Sequence, residues 1–332
     1  MGNLIVTEVC NLSCACCFAR DTLAGDSRAP DAFSMALETF DGCLEFLQRS
    51  GIQQARLLGG EPTLHPRFLE LVERVLARRM SLMVFSNGMA PAVVVERLAA
   101  LPAEACQVML NATAAQAAPP AVARRQREFL MRLGPRCRLG ANIDRVEIDL
   151  APLLALIAET GCNPLVRLGL AHPTRSGSNR SLSPKQYPLA GRKILEFARQ
   201  AARAGVRVDF DCGFVPCMFH PDHLQELQSL GAQTGWHCGA IPDIDIHGAA
   251  FHCFPLADRP HLPLAGFQHM PEVIAALNQE NAPFRQVGIY PDCTDCLYHL
   301  DGVCQGGCLA GVYRRFRSEP FRVRRALAEE LH

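Results

Sequence analysis

Neither sign of charge dominates this chain. Its 33 Lys and Arg balance 33 Asp and Glu over 332 residues, so no bulk field draws it to nucleic acid or to a membrane surface. No eighteen consecutive residues are apolar, and the chain does not open on a basic leader followed by an apolar run and a small-residue cleavage site. Neither a membrane-spanning helix nor a secretory signal is expected, and the protein reads as cytoplasmic. What is present is a hydrophobic content of 49% against 20% charge, enough to bury a substantial core. The length suits about two domains, or one large α/β barrel with an appendage. Sixteen cysteines in a reducing compartment argue for metal ligation rather than a disulfide framework.

Three of those cysteines organise the rest. The run Cys10-Asn-Leu-Ser-Cys14-Ala-Cys16-Cys17-Phe18 directly follows the apolar Leu4–Val6, so a strand ends in thiols spaced C-x3-C-x2-C. A structural zinc site wants a fourth protein ligand, and none is offered nearby. An iron-sulfur cube of four irons held by three thiolates leaves one iron open to an exogenous ligand. A second motif, Leu57-Leu58-Gly59-Gly60-Glu61-Pro62-Thr63-Leu64-His65-Pro66, follows.

Together and in this order the two motifs resemble those of the radical S-adenosylmethionine (SAM) superfamily. The resemblance implies a partial β/α barrel with a 4Fe-4S cluster on Cys10, Cys14 and Cys17. It further implies that Gly59, Gly60, Glu61 and Pro62 bind the amino group of SAM, with Glu61 holding the ammonium. One position departs: the residue before the third ligand is usually aromatic, and here it is Cys16, the aromatic being displaced to Phe18. The spacing favours Cys17 over Cys16 as ligand.

From residue 4 to about 211, short apolar runs alternate with longer helical patterns, the signature of a parallel β/α series. Strands are expected at Leu4–Val9, Ala55–Leu58, Ser81–Ser86, Gln107–Asn111, Arg138–Ile143 and Leu165–Leu170. Helices are expected at Ser34–Gln48 with Ser34 as cap, Phe68–Ala77, Val93–Leu101, Ala121–Leu133, Leu150–Thr160 and Tyr187–Ala204, the last ended by Gly205. The fold class is α/β, a partial (β/α)6 TIM-like barrel with a C-terminal cysteine-rich extension. Ligands of such barrels gather at the C-terminal strand ends. There the resemblance assigns Ser86, Asn87, Asn111 and Asn142 to the ribose and carboxylate of SAM; the alternative is that they serve strand-ending turns. Residues 173–188, polar and without periodicity, are either a cover for substrate or a solvated connector.

Eight more cysteines lie between Cys212 and Cys308. Cys238-x9-Gly248-x4-Cys253 encloses a hairpin turning at His247-Gly248, and Cys293-x2-Cys296-x7-Cys304-x3-Cys308 follows. The arrangement is similar to the SPASM extension of radical SAM enzymes, although seven residues, not five, fill the middle gap of the last quartet. The resemblance implies two auxiliary 4Fe-4S clusters. Cys238, Cys253 and Cys308 with one upstream cysteine would hold the first, and Cys293, Cys296 and Cys304 the second. The family pattern expects one more cysteine after the quartet, and none follows Cys308. Full ligation then takes Cys212 and Cys217, one in each cluster; the alternatives are an open iron in the second cluster, or a zinc ribbon. Cys16, Cys43, Cys106, Cys137 and Cys162 read mostly as buried inert thiols. The expected divisions are 1–211 (barrel), 212–313 (extension) and 314–332 (a basic helix).

The resemblance carries a function: reductive cleavage of SAM to a 5'-deoxyadenosyl radical that abstracts a hydrogen atom, the hard chemistry belonging to the cofactor. No side chain announces itself as a general acid or base, and Asp209, Asp211, Asp243, Asp245 and His252 are candidates by position only. The first expectation is modification of a ribosomal peptide or protein side chain, fed by a flavodoxin- or ferredoxin-type electron donor. Because the first strand begins at Leu4, no leader-binding domain is expected ahead of it, and leader recognition would fall to a separate partner. Formylglycine formation in sulfatases is disfavoured, since Phe254 rather than Asp follows Cys253. Radical oxidation or rearrangement of a small metabolite is the second expectation, and a non-catalytic electron carrier the third.

Overall fold

The computed structural model describes residues 2–23, 30–113, 118–232 and 235–318. Seven strands run parallel in sequence order: β1 (Asn3–Thr7), β2 (Gln54–Gly59), β3 (Ser81–Ser86), β4 (Cys106–Asn111), β5 (Cys137–Ile143), β6 (Leu165–Leu170) and β7 (Arg207–Phe210). The helices between them are α1 (Leu37–Arg49), α2 (Phe68–Ala77), α3 (Ala92–Ala100), α4 (Pro120–Leu133), α5 (Ala151–Thr160) and α6 (Tyr187–Arg203). Strands such as β3, LMV at its centre, are buried on both faces, as a parallel sheet beneath helices requires. Each helix turns one stripe inward; α1 buries Leu37, Phe40, Cys43, Leu44, Phe46 and Leu47.

The sheet does not close, and it does not stop at residue 211. After α7 (Pro221–Ser229), a hairpin of β8 (Asp243–Ile244) and β9 (Ala249–Phe251) returns to the free edge of β1, β8 pairing parallel to it, and β10 (Leu262–Pro263) adds beyond. The order is β10-β9-β8-β1-β2-β3-β4-β5-β6-β7. The barrel and the cysteine-rich extension thus share one sheet. Helices α8 (Met270–Arg285), α9 (Leu297–Leu300) and α10 (Leu309–Ser318) complete the described chain.

Three expectations shift locally. Ser34 does not cap α1: its hydroxyl donates to Thr7 Oγ1 at 2.9 Å, and the helix begins after Ala36. The seven-residue gap between Cys296 and Cys304 contains the short α9 and returns through a hydrogen bond from Cys304 N to Tyr298 O at 2.8 Å. The last helix begins at Leu309, before the expected start at 314, and the remainder of the basic segment from residue 319 lies outside the described residues. Gly205, just past α6, takes φ +68°, as a helix-ending glycine should.

Candidate functional site

The two N-terminal motifs are pressed together by main chain. At the end of β2, Gly60 N donates to Thr7 O at 2.9 Å and Glu61 N to Val9 O at 2.8 Å. A Cβ on Gly59 would stand 2.1 Å from Thr7 O, and one on Gly60 would stand 2.3 Å from Val9 O and 2.9 Å from Cys10 Cβ. Gly59 also has φ +152°. Only glycine lets β2 end this close to the strand that launches the cysteine loop. On that loop Cys10, Cys14 and Cys17 are half-buried while Cys16 is buried. Burial, then the neighbouring thiols Cys16, Cys17 and Cys10, push the Cys14 thiol up to about 12, as expected of several thiols gathered without a metal to favour thiolate.

Glu61 is fully buried, and its carboxylate faces protein. Oε1 accepts from Thr63 Oγ1 (2.6 Å), Thr63 N (3.3 Å) and Ser86 Oγ (2.9 Å), and Oε2 accepts from Asn87 N (2.7 Å). It ties the end of β2 to the end of β3. Burial raises its pKa against those hydrogen bonds. Asn87, so anchored, sends its amide Nδ2 to Asn11 Oδ1 (2.9 Å) and to within 3.8 Å of Cys10 Sγ, while its Oδ1 accepts from Met89 N (2.8 Å). Asn111 and Asn142 each sit beside a glycine on the next strand, in register with Gly140 and Gly169. A Cβ on Gly169 would lie 2.7 Å from Asn142 Oδ1, and one on Gly140 3.3 Å from Asn111 Oδ1.

Sequence reasoning missed Gln126. It is buried on α4, donating through Nε2 to Asn87 O (2.7 Å) and Asn111 O (3.3 Å) and accepting at Oε1 from Thr113 N and Oγ1. The signal was available: an amide on the stripe that also carries Phe129, Leu130 and Leu133. Residues 173–188 are tied by hydrogen bonds to the cysteine loop. Asp21 accepts from Ser176 N, Ser176 Oγ and Ser178 Oγ, Arg180 N donates to Ala15 O (2.7 Å), and Asn179 Nδ2 donates to His172 O and Cys16 O. The segment straps the cysteine loop to the end of β6.

The eight later cysteines divide into two sets. Among the described residues no three Cys, His, Asp or Glu side chains stand close enough to one point to hold a metal as they are, so the division rests on proximity and mutual electrostatics. In the inner set, Cys238 is raised first by Cys308 beside it, and Cys253, raised first by burial, is raised further by Cys238, Cys308 and Cys212. In the outer set, burial and then Cys304, Cys293 and Cys296 push Cys217 up to about 12. Cys212 therefore lies with the inner three and Cys217 with the outer three. Both sets are sulfur-only, the donor chemistry of iron-sulfur clusters. The inner set also has buried nitrogens beside it without hydrogen-bond partners: both ring nitrogens of His252, and Nη2 of Arg285. The single cysteines Cys43, Cys106, Cys137 and Cys162 are buried, and burial raises their thiols.

The acid-base candidates are mostly spoken for. Burial would raise Asp211, but its ion pair with Arg167 holds it low. Asp243, pushed up to about 7 by burial, accepts from Asn3 Nδ2 (2.7 Å) and Phe254 N (2.9 Å), pinning the hairpin to β1. Asp245 meets His261 Nδ1 at 2.6 Å, while His261 Nε2 meets Ala257 O at 3.0 Å. With acceptors on both nitrogens, His261 is an imidazolium. Asp209 pairs with Arg207 at 3.2 Å.

Compared with known proteins, residues 4–128 match the model of the Radical SAM superfamily. Over 329 residues the chain is 26% identical to the mycofactocin maturase MftC of Mycobacterium ulcerans, covering 93% of this chain and 82% of that protein. Shorter matches, at 31% identity, cover 93 residues of a probable GTP 3',8-cyclase of Pyrococcus horikoshii and 86 residues of an S-adenosylmethionine-dependent nucleotide dehydratase of Flammeovirga pacifica, each less than a third of either chain. Among solved structures, Streptococcus suis SuiB bound to S-adenosylmethionine aligns with TM-score 0.67 at 14% identity, over 94% of this chain and 73% of that one. SuiB bound to its precursor peptide SuiA aligns with TM-score 0.66. Residues 4–128 are a radical SAM domain. Among the described residues no helix is long and apolar enough to cross a membrane.

Proposed function

We propose that this radical SAM enzyme modifies a side chain of a ribosomal peptide or protein, with one SAM-binding cluster and two auxiliary clusters. The observation that carries the reading is the main-chain seam between the cysteine loop and the Gly59–Glu61 segment, because it sets three half-buried thiols beside a glycine-lined edge. Cys10, Cys14 and Cys17 would hold the first 4Fe-4S cluster; Cys212, Cys238, Cys253 and Cys308 the second; Cys217, Cys293, Cys296 and Cys304 the third. When bound, the first cluster and SAM supply a radical able to take hydrogen from an unactivated C–H bond. The protein's own part is positional. Gly59 and Gly60 would let backbone approach the SAM amine, and Glu61, which holds Ser86 and Asn87 at the strand end, would face the ammonium. Asn87 offers an N–H to Cys10, and the strap at residues 173–188 keeps the loop in register with β6.

The peptide reading draws support from the maturase relative that spans most of the chain and from the fold shared with an enzyme solved with its precursor peptide. The nucleotide-acting relatives match only over about 90 residues, too short a span to carry substrate preference. Electrons would come from a flavodoxin- or ferredoxin-type donor.

Anaerobic incubation of reconstituted protein with dithionite and SAM should yield 5'-deoxyadenosine well above a Cys17→Ala control; equal yields would remove the proposed activity. About twelve irons per chain are expected from three four-iron clusters. About four would remove the auxiliary clusters, and zinc in their place would restore the ribbon. A short precursor frame beside the gene supports the peptide substrate; biosynthetic enzymes alone would favour a metabolite.

A further inference from the structure

The inner and outer cysteine sets differ in what surrounds them. Cys238 and Cys308 are 5% and 4% exposed. A four-iron cluster with four thiolates carries net negative charge that grows on reduction. Burial in low dielectric therefore opposes reduction unless nearby N–H donors and cations compensate.

Three nitrogen-bearing side chains stand around the inner set. His172 Nε2 lies 3.9 Å from Cys212 Sγ, and its ring occupies the space beside Gly213, where a Cβ would come within 2.2 Å of the ring. His252, 2% exposed, precedes Cys253, and neither of its ring nitrogens has a partner. Arg285, the last residue of α8, spends Nη1 on Gly307 O at 3.5 Å and leaves Nη2 buried without a partner. It lies close enough to act electrostatically on both Cys238 and His252. A buried guanidinium N–H with no acceptor is costly, and the inner set, once its thiols are ligands, puts negative charge within electrostatic reach of Arg285. The outer set differs: Cys217 is exposed, and Arg315, the cation acting on Cys293, gives Nη1 to Val287 O and Gly288 O.

Resting on the auxiliary-cluster reading above, we infer that Arg285 and His252 are positioning residues that hydrogen-bond the sulfurs of the inner cluster and hold its reduction potential up against burial. Arg285 contributes more, because it brings a full charge as well as N–H groups.

The test is an EPR-monitored redox titration of the reconstituted full chain in a Cys293→Ala/Cys296→Ala background, which removes the outer cluster and leaves the inner and SAM clusters to be read. With iron near eight per chain, Arg285→Met should make the inner cluster at least tenfold harder to reduce at a given potential, a downward shift of about 59 mV for one electron. Arg285→Lys should recover part of that shift, and His252→Leu should show a smaller one, with the SAM-cluster signal unmoved in all three. An unchanged inner-cluster potential in Arg285→Met at full iron overturns the inference. If Arg285→Met loses about four irons, His252→Leu decides: a lowered potential at full iron upholds the inference, and an unmoved one, or the same iron loss, overturns it by reducing both residues to scaffold. An otherwise unaltered chain holding only about four irons would instead sink the auxiliary-cluster reading, a separate result.

Discussion

The two cysteine-bearing regions reach their geometry by opposite routes. At the N-terminal end three thiols lie on one loop, and the segment facing them is held by two main-chain hydrogen bonds through adjacent glycines. In the C-terminal region the inner set gathers cysteines from distant segments: Cys212 from the end of β7, Cys238 and Cys253 from either side of the hairpin, and Cys308 from the start of α10. A local site is written in spacing and glycine. A site assembled from four segments depends on packing to bring its members together.

That contrast is broken most severely by deleting one thiol from each region. Cys17→Ala should lower 5'-deoxyadenosine formation to the level without enzyme and remove about four irons, since the loop has no spare half-buried thiol at the required spacing. If Cys16 replaced it and activity persisted, the N-terminal site would be looser than its spacing implies. Cys212→Ala and Cys217→Ala should each also cost about four irons, but from different clusters. The two EPR spectra should therefore differ from each other, and identical spectra would dissolve the division into inner and outer sets.

Seen this way, the parts legible in the sequence are those whose cause is local. The strands Ser81–Ser86 and Leu165–Leu170 and the helix Phe68–Ala77 fall where their apolar patterns put them, because an apolar run between turn residues needs no distant partner to be recognised. The hairpin's turn at His247-Gly248 was equally plain, Gly248 having φ +81°. What escaped depends on contact at long range. Ser34 resembled a cap until Thr7 took its hydroxyl, and nothing local announced that Glu61 would accept from Ser86 Oγ and Asn87 N at the end of β3. The pairing of β8 with β1 likewise joins residues some 240 apart, beyond any periodic signal. Spacing likewise left open which of Cys212 and Cys217 stands with which set.

A smaller intervention sharpens the comparison by asking how much the N-terminal seam depends on glycine. Gly60→Ala drives a Cβ into Val9 O and toward Cys10. Both obstacles are backbone or the root of a side chain and cannot swing away, so a loss of about 1–3 kcal/mol in stability is expected, together with weaker SAM binding. Gly42→Ala, on α1 with no neighbour within 4 Å of the added carbon, is the control and should stabilise by roughly 0.5–1 kcal/mol. Thermal unfolding of the two variants, compared with SAM binding by equilibrium dialysis, separates a strained seam from a general intolerance of alanine.

The smallest effect is expected where the C-terminal region is fastened to the sheet by charge. His261 is raised by its hydrogen bond to Asp245 against the pull of burial. Its contribution is therefore complete below the ordinary imidazole value of about 6.5 and is lost as pH climbs through the higher folded value. Asp245 resists burial and is held low by His261, so its contribution is present above the ordinary carboxylate value of about 3.9 and disappears as pH falls through the lower folded one. The pair stabilises fully only between those limits. Asp245→Asn keeps an oxygen for His247 N and Ala249 N, the two turn contacts made by Oδ1, and removes the charge. Because His261 and Asp245 are partly exposed, the loss should be about 1 kcal/mol near pH 6 and should shrink towards pH 9 as His261 gives up its proton. Thermal unfolding of the oxygen-free reconstituted protein at the two pH values reads the difference. A variant as much weakened at pH 9 as at pH 6 would mean that the turn, and not the charge, is what Asp245 supplies.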